Sequence, residues 1–288
     1  MTNIDIQTRF VTLLGTPLKQ SFAAQMQNAG YEAAGLNMKY FYTEVANDHL
    51  ADVINGIRYM NFAGFAVTKP NKVEVLQYLD ELDPLCEKMG ACNTVVKTDD
   101  GRLIGYNTDG MGFVRSMEID AHLEIKDGVF YCIGSGGAGR AICSVLAYYG
   151  AKKIYITDIS NENSQKLAED INRYFAPVAE VCLYGDFSKA KEAAVVINAS
   201  GVGMGNSIGK TPFPKEWMQK DTLYFDACYN PDKTQFLLDA EESGAPILNG
   251  LGMSLYQGAA QIELWTGKNP PIEAMRKKLL EIIRKKSE

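Results

Sequence analysis

Residues 129–140 read VFYCIGSGGAGR, and this stretch decides the fold. Val129, Phe130, Tyr131, Cys132 and Ile133 form an apolar run rich in β-formers. Gly134, Gly136 and Gly139 follow with the spacing G-x-G-x-x-G, and Ala141, Ile142, Val145 and Leu146 then recur as on a helix face packed against a sheet. In a dinucleotide site each glycine has its own duty: Gly134 allows the tight turn, Gly136 lets the backbone approach a pyrophosphate, and Gly139 lets the helix pack on the strand. The helix start offers free N–H groups and a positive dipole end to the phosphate charge. A second strand, 153–157, ends at Asp158, nineteen residues past Gly139. That is near the distance of about 20 at which such sites carry a carboxylate for the ribose hydroxyls.

The composition sets bounds around this unit. A chain of 288 residues has room for one large or two ordinary domains. Hydrophobic residues make up 46% and charged residues 22%, as in a globular protein with a substantial core. The net charge of −6 gives no support for binding nucleic acid or an anionic membrane. No apolar run reaches membrane-spanning length, and no apolar block follows a basic start, so a cytoplasmic protein is expected. The six cysteines lack C-x-x-C spacing and read as reduced core thiols. With two histidines, His49 and His122, the chain has no cluster suited to zinc.

Before the glycine loop the chain alternates elements without a dinucleotide fingerprint. Strands are expected at 10–16, 39–45, 62–68, 93–98 and 102–106, with helices at 21–36, from Asn47 or Asp48 to about Met60, and at 73–79. Ser21 is a candidate helix cap. Residues 99–101 (Asp-Asp-Gly) read as a hairpin turn. Residues 107–110 read as a polar loop before a helix starting near Met111. After the glycine loop the expected strands are 178–183, 195–199, 223–227 and 246–248, with helices at 163–175, 233–243, 254–265 and 271–286. Parallel strands with crossovers of this length build a doubly wound sheet, in which ligands bind at the carboxyl ends of strands. The fold class is therefore α/β in two domains, a Rossmann nucleotide domain inserted in an α/β substrate domain. The boundaries are placed at 1–112 with 249–288 for the substrate part and 113–248 for the nucleotide part.

Three polar groups stand at strand ends: Thr68-Lys69-Pro70-Asn71-Lys72, Ala91-Cys92-Asn93-Thr94 and Tyr106-Asn107-Thr108-Asp109-Gly110. Singly, each reads as a solvated turn. Together with GTPLKQS at 15–21, GSGGAG at 134–139, INASGVGM at 197–204, CYNP at 228–231 and LNGLGMSLYQGA at 248–259, they have an order and spacing that resembles the shikimate/quinate dehydrogenase family over nearly the whole chain. The resemblance implies reversible hydride transfer between a nicotinamide cofactor and a ring alcohol of a cyclohexane or cyclohexene carboxylate. The family's lysine–aspartate pair falls on Lys72 and Asp109. Alcohol oxidation releases a proton from oxygen, and a lysine held against a carboxylate can relay it and stabilise developing charge on the oxygen. The family's other substrate positions fall on Ser21, Thr68, Asn93, Tyr229 and Gln257. Its cofactor positions fall on Gly134, Ser135, Gly136, Gly137, Ala138, Gly139, Asp158, Ala227 and Gly250. The implied partner is this small molecule, with a homodimer possible.

Departures from the family pattern sharpen the expectations. The family has His-Ser-x-Ser-Pro where this chain has Gln20-Ser21-Phe22-Ala23-Ala24, so the second serine, which helps hold the substrate carboxylate, is Ala23. Ala66 and Lys69 also depart. A related ring alcohol is therefore a second candidate substrate, and a dinucleotide-binding regulator without turnover is a third reading. In NADP-using members the strand before the adenosine ribose ends in an Asn-Arg-Thr type of sequence, whereas this chain has Thr157-Asp158-Ile159-Ser160. That difference leads to the expectation of NAD, with NADP disfavoured by repulsion between Asp158 and the 2′-phosphate.

Overall fold

The structure is a computed structural model that describes residues 4–19 and 21–287. Gln20, which replaces the family's histidine, lies outside the described residues. The chain divides into two compact units, Met1–Asp109 with Leu255–Glu288, and Gly110–Ser254. Among the described residues the strands form two six-stranded sheets.

The first unit runs β1 (Arg9–Gly15), α1 (Ala23–Ala33), β2 (Met38–Glu44), α2 (Leu50–Tyr59), β3 (Phe62–Val67), β4 (Glu81–Leu82), α3 (Pro84–Met89), β5 (Thr94–Lys97) and β6 (Leu103–Tyr106). Its sheet has the order β2-β1-β3-β5-β6-β4, parallel from β2 to β3 and antiparallel across β3-β5-β6. Leu14, Leu50, Ile54, Phe65, Val67 and Val95 are buried in one core of this unit. Helix α4 (Thr108–Arg115) begins just after β6.

The second unit runs β7 (Val129–Ile133), α5 (Gly137–Tyr148), β8 (Lys153–Thr157), α6 (Asn161–Tyr174), β9 (Ala179–Val181), β10 (Val195–Asn198), β11 (Leu223–Asp226), α7 (Gln235–Glu242) and β12 (Ile247–Asn249). Helices α8 (Leu251–Thr266) and α9 (Ile272–Ser287) follow. The second sheet is parallel throughout, in the order β12-β11-β10-β7-β8-β9. The order reverses between β7 and β10, which makes the end of β7 the switch point where such sheets bind nucleotides. The sheet is packed on a core centred on Phe213, whose ring lies 4.8 Å from Phe187 and 6.3 Å from Phe236. Among the described residues no helix is long and apolar enough to cross a membrane. All six cysteines are buried and free.

Three local expectations fail for identifiable reasons. The polar stretch 107–110 starts a helix instead of forming a loop, because side chains take up the first N–H groups of α4. Asn93 Oδ1 accepts from Thr108 N at 2.7 Å, and Asn107 Oδ1 accepts from Asp109 N at 3.2 Å. Helix α3 was not expected, although Asp83-Pro84 carries its signal. The Asp83 carboxylate accepts from Leu85 N and Cys86 N, proline occupies the first turn, and Gly90 ends the helix at φ +61°. Ser21 does not cap α1. Phe22 holds the cap position without a side-chain bond, while the Ser21 hydroxyl accepts from Ala23 N at 3.3 Å.

Candidate active site

The carboxyl end of β3, the start of β5 and the start of α4 bring three polar segments of the first unit together. Lys72 Nζ lies 2.6 Å from Asp109 Oδ2, with side-chain exposures of 34% and 25%. The loop carrying the lysine is fixed through its backbone, since Thr68 N donates to Leu14 O, Thr16 N to Lys69 O, and Cys92 N to Lys72 O. The aspartate stands in the first turn of α4, where the helix dipole favours its negative charge. Its second oxygen, Oδ1, accepts from Asn93 Nδ2 at 2.8 Å. Asn93 is itself held by Val67 N on its carbonyl and by Tyr106 O on its N–H. Both carboxylate oxygens are thus oriented, and the ammonium is held at hydrogen-bond distance in a partly desolvated place.

The pair borders a cavity of about 150 Å³ lined by Leu13, Ala23, Tyr40, Ala66, Val67, Thr68, Asn93, Gln257 and Gln261 besides Lys72 and Asp109. Five of the residues expected at the substrate are therefore together: Lys72, Asp109, Thr68, Asn93 and Gln257. Ser21 does not line the cavity. Tyr229 belongs to the second unit, where burial pushes its hydroxyl up to about 12 while a hydrogen bond with Ser254 lowers it. Lys69 is exposed and absent from the wall, so it does not replace the missing serine hydroxyl. Two polar wall residues escaped the sequence reading. Gln261 follows Gln257 by one helical turn, and that i, i+4 spacing was its available signal. Tyr40 sits on β2, beside Val11 of β1, and carried no motif.

The glycine loop of the second unit has the shape a pyrophosphate needs. Gly134 turns at φ +105°, and a Cβ there would lie 2.6 Å from Ser200 N. A Cβ on Gly139 would lie 1.9 Å from Gly134 O, so helix and strand pack at a distance that excludes any side chain. Gly136 and Gly137, by contrast, have nothing within 4 Å of their would-be Cβ atoms. No side chain caps the start of α5. Open ground in front of a helix N-terminus is where phosphate oxygens fit. Gly250 approaches Ala227 so closely that a Cβ would lie 2.1 Å from its carbonyl oxygen.

Asp158 is bonded to the glycine loop. Its Oδ2 accepts from both Ser135 N and Ser135 Oγ at 2.7 Å, and its Oδ1 accepts from Ser160 N at 2.9 Å. Burial pushes this carboxyl up, but the bonds from Ser160 N, Ser135 Oγ and Ser135 N outweigh it and hold the group below its ordinary 3.8. The carboxylate fastens the glycine loop to the end of β8. Ile159 beside it is 83% exposed.

A doubly wound sheet with a glycine loop, and a cavity whose wall carries an oriented lysine–aspartate pair, define a dinucleotide-dependent oxidoreductase. Comparison with known proteins agrees. Residues 13–95 match the model of the shikimate dehydrogenase substrate binding domain, and residues 250–280 that of the shikimate 5′-dehydrogenase C-terminal domain. The chain is 38% identical over 273 residues to the shikimate dehydrogenase (NADP(+)) of Bacillus cereus, covering 93% of this chain and 96% of that one. It is 37% identical over 286 residues to the enzyme of that name from Desulforamulus reducens, covering 98% of each. The crystal structure of shikimate 5-dehydrogenase from Listeria monocytogenes, in complex with shikimate and NAD, superposes with a TM-score of 0.92 at 36% identity, covering 97% of this chain and 99% of that one. The chain belongs to the shikimate dehydrogenase family.

These relatives overturn the expected cofactor. The preference for NAD over NADP conflicts with the curated relatives, which are NADP(+) enzymes. Asp158 keeps its charge while three neutral donors bind its two oxygens, so a carboxylate at this strand end did not by itself decide the cofactor.

Proposed function

We propose that the protein oxidises a ring hydroxyl of shikimate reversibly to the ketone with NADP. The observation that carries this reading is the Lys72–Asp109 contact of 2.6 Å on the wall of a small polar cavity. When bound, the nicotinamide supplies the hydride acceptor. Lys72, as the neutral amine, takes the proton from the reacting hydroxyl to become the ammonium that Asp109 holds in place, and it returns that proton in the reverse direction. Thr68, Asn93 and Gln257 bind the remaining hydroxyls. The loop 134–139 would hold the pyrophosphate, and Ala227 and Gly250 stand at further cofactor positions of the family. The test is turnover by the purified protein with NADP and a panel of shikimate, quinate and related ring alcohols. No oxidation of shikimate at any concentration up to about 10 mM, well above common KM values, refutes it.

A second reading rests on Ala23. The cavity wall has a methyl group where the family places a hydroxyl for the carboxylate, and Lys72 is its one cation among the described residues. This favours a ring alcohol with a different substituent at that end. Faster turnover of such a compound than of shikimate in the same panel selects this reading.

A further inference from the structure

Beneath the cavity, a line of hydrogen bonds runs from two helices of the first unit to the lysine–aspartate pair. Gln27 on α1 and Gln261 on α8 are 0% and 3% exposed. Gln27 Nε2 donates to Gly258 O at 3.0 Å and to Gln261 Oε1 at 2.9 Å. A backbone carbonyl can only accept, so Gln27 presents its NH₂ to both partners. Gln261 therefore turns its oxygen to Gln27 and its NH₂ to Thr94, donating to Oγ1 at 2.9 Å. Thr94 Oγ1, having accepted, donates to Asn93 Oδ1 at 2.8 Å. Asn93 Oδ1 also receives Thr108 N, which leaves Asn93 Nδ2 to face Asp109. Each link passes a donor in the same direction.

The line has a branch from the same helix. Gln257, one turn before Gln261, donates to Thr108 Oγ1 at 3.2 Å, and the two threonine hydroxyls lie 3.0 Å apart. The threonines are fully buried, so water cannot replace a missing donor there. Without the Gln261 NH₂, the Thr94 hydroxyl is free to turn its proton away from Asn93. The amide that orients Asp109 then loses a partner on its oxygen.

We infer that Gln261 is a positioning residue for the Lys72–Asp109 pair, acting through Thr94 and Asn93 with Gln27 behind it. The inference rests on the proposed function, in which that pair handles the proton. It predicts an effect in the transition state rather than on substrate affinity, and an effect that requires the Asp109 carboxylate.

The experiment uses Gln261→Met and Gln27→Met, each alone and combined with Asp109→Asn, assayed with shikimate and NADP alongside thermal unfolding. Gln261→Met keeps the length of the side chain and removes its hydrogen bonds. The expected result is a fall in kcat of about tenfold with KM for shikimate changed less than about twofold. In the Asp109→Asn background, the same substitutions should change the residual rate by less than about twofold. If Gln261→Met does not fold, Gln27→Met decides, since it frees Gln261 to turn without altering the cavity wall. Retention of kcat within twofold, or a tenfold loss that persists in full in Asp109→Asn, makes Gln261 a packing residue and overturns the inference alone. Absence of shikimate oxidation by the unmodified protein overturns the proposed function and this inference with it.

Discussion

Asp158 and Ser135 are joined twice: the serine's backbone N–H and its hydroxyl both donate to Oδ2 at 2.7 Å, across a separation of 23 residues. The carboxylate therefore sets the shape of the glycine loop. Asp158→Asn puts an NH₂ or a neutral oxygen opposite two donors and costs on the order of 1.5–3 kcal/mol, the usual range for a hydrogen bond to a charged group. KM for NADP should rise about tenfold or more, with kcat for shikimate less affected, and initial-rate kinetics check it. The pH dependence has a definite sign. The Asp158 carboxyl is held below its ordinary 3.8 in the folded chain, so its contribution to stability is fully present above that value. It is lost as pH falls through the lower, folded-state value. Acid unfolding of the wild type and of Asp158→Asn should accordingly converge only once pH has fallen below 3.8 and through the folded-state value.

Removing the ammonium should act on the chemical step. Lys72→Ala is expected to lower kcat by at least about a hundredfold while KM for shikimate changes by less than about fivefold. Asp109→Asn should follow the same pattern, because the lysine loses its orienting charge at 2.6 Å. A Lys72→Ala protein with near-normal kcat would remove the pair from the chemistry.

Ala23→Ser restores a hydroxyl to the cavity wall. Where the substrate carries a carboxylate at that end, one recovered hydrogen bond to charge should lower KM for shikimate or quinate about tenfold. An unchanged or higher KM, measured in the same assay, shows that this end of the cavity serves another group.

Tyr31 supplies a test of stability away from the site. It is 1% exposed, and its hydroxyl has no hydrogen-bond partner. Burial pushes that hydroxyl well above its ordinary range. Tyr31→Phe removes an unsatisfied polar atom without leaving a cavity, and should stabilise the chain by about 1 kcal/mol. Thermal unfolding should show a Tm raised by roughly 2–4 °C. A lowered Tm would mean that the oxygen is satisfied by something in solution.

The legible parts of this protein are those whose cause is local. The β7–α5 turn is written in three glycines within six residues, and both the strand and the helix stand where periodicity places them. Lys72, Asn93 and Asp109 were readable only through the resemblance to the shikimate/quinate dehydrogenase family, since singly each of their segments reads as a solvated turn. What escaped depends on partners far along the chain. Asn93, fifteen residues away, converts the start of α4 from turn to helix. Ser135 takes up Asp158, and no pattern around residue 158 announces that. Gln261 reads as an ordinary helix residue until Gln27, 234 positions earlier, is set beside it.

That last separation has a consequence for the nascent chain. Helix α1 leaves the ribosome with Gln27 unmet, and its partners Gly258 and Gln261 come after the 145 residues of 110–254. At 5–20 residues per second, the 231 positions from Gln27 to Gly258 take roughly 12–46 s. By the end of that interval, the second unit has all of its sequence available before the first can close. The surface of α1 that will meet α9 is meanwhile uncovered. The enzyme's vulnerable species during synthesis is thus a finished nucleotide unit tethered to an open substrate unit, and chaperone demand should concentrate on residues 1–109.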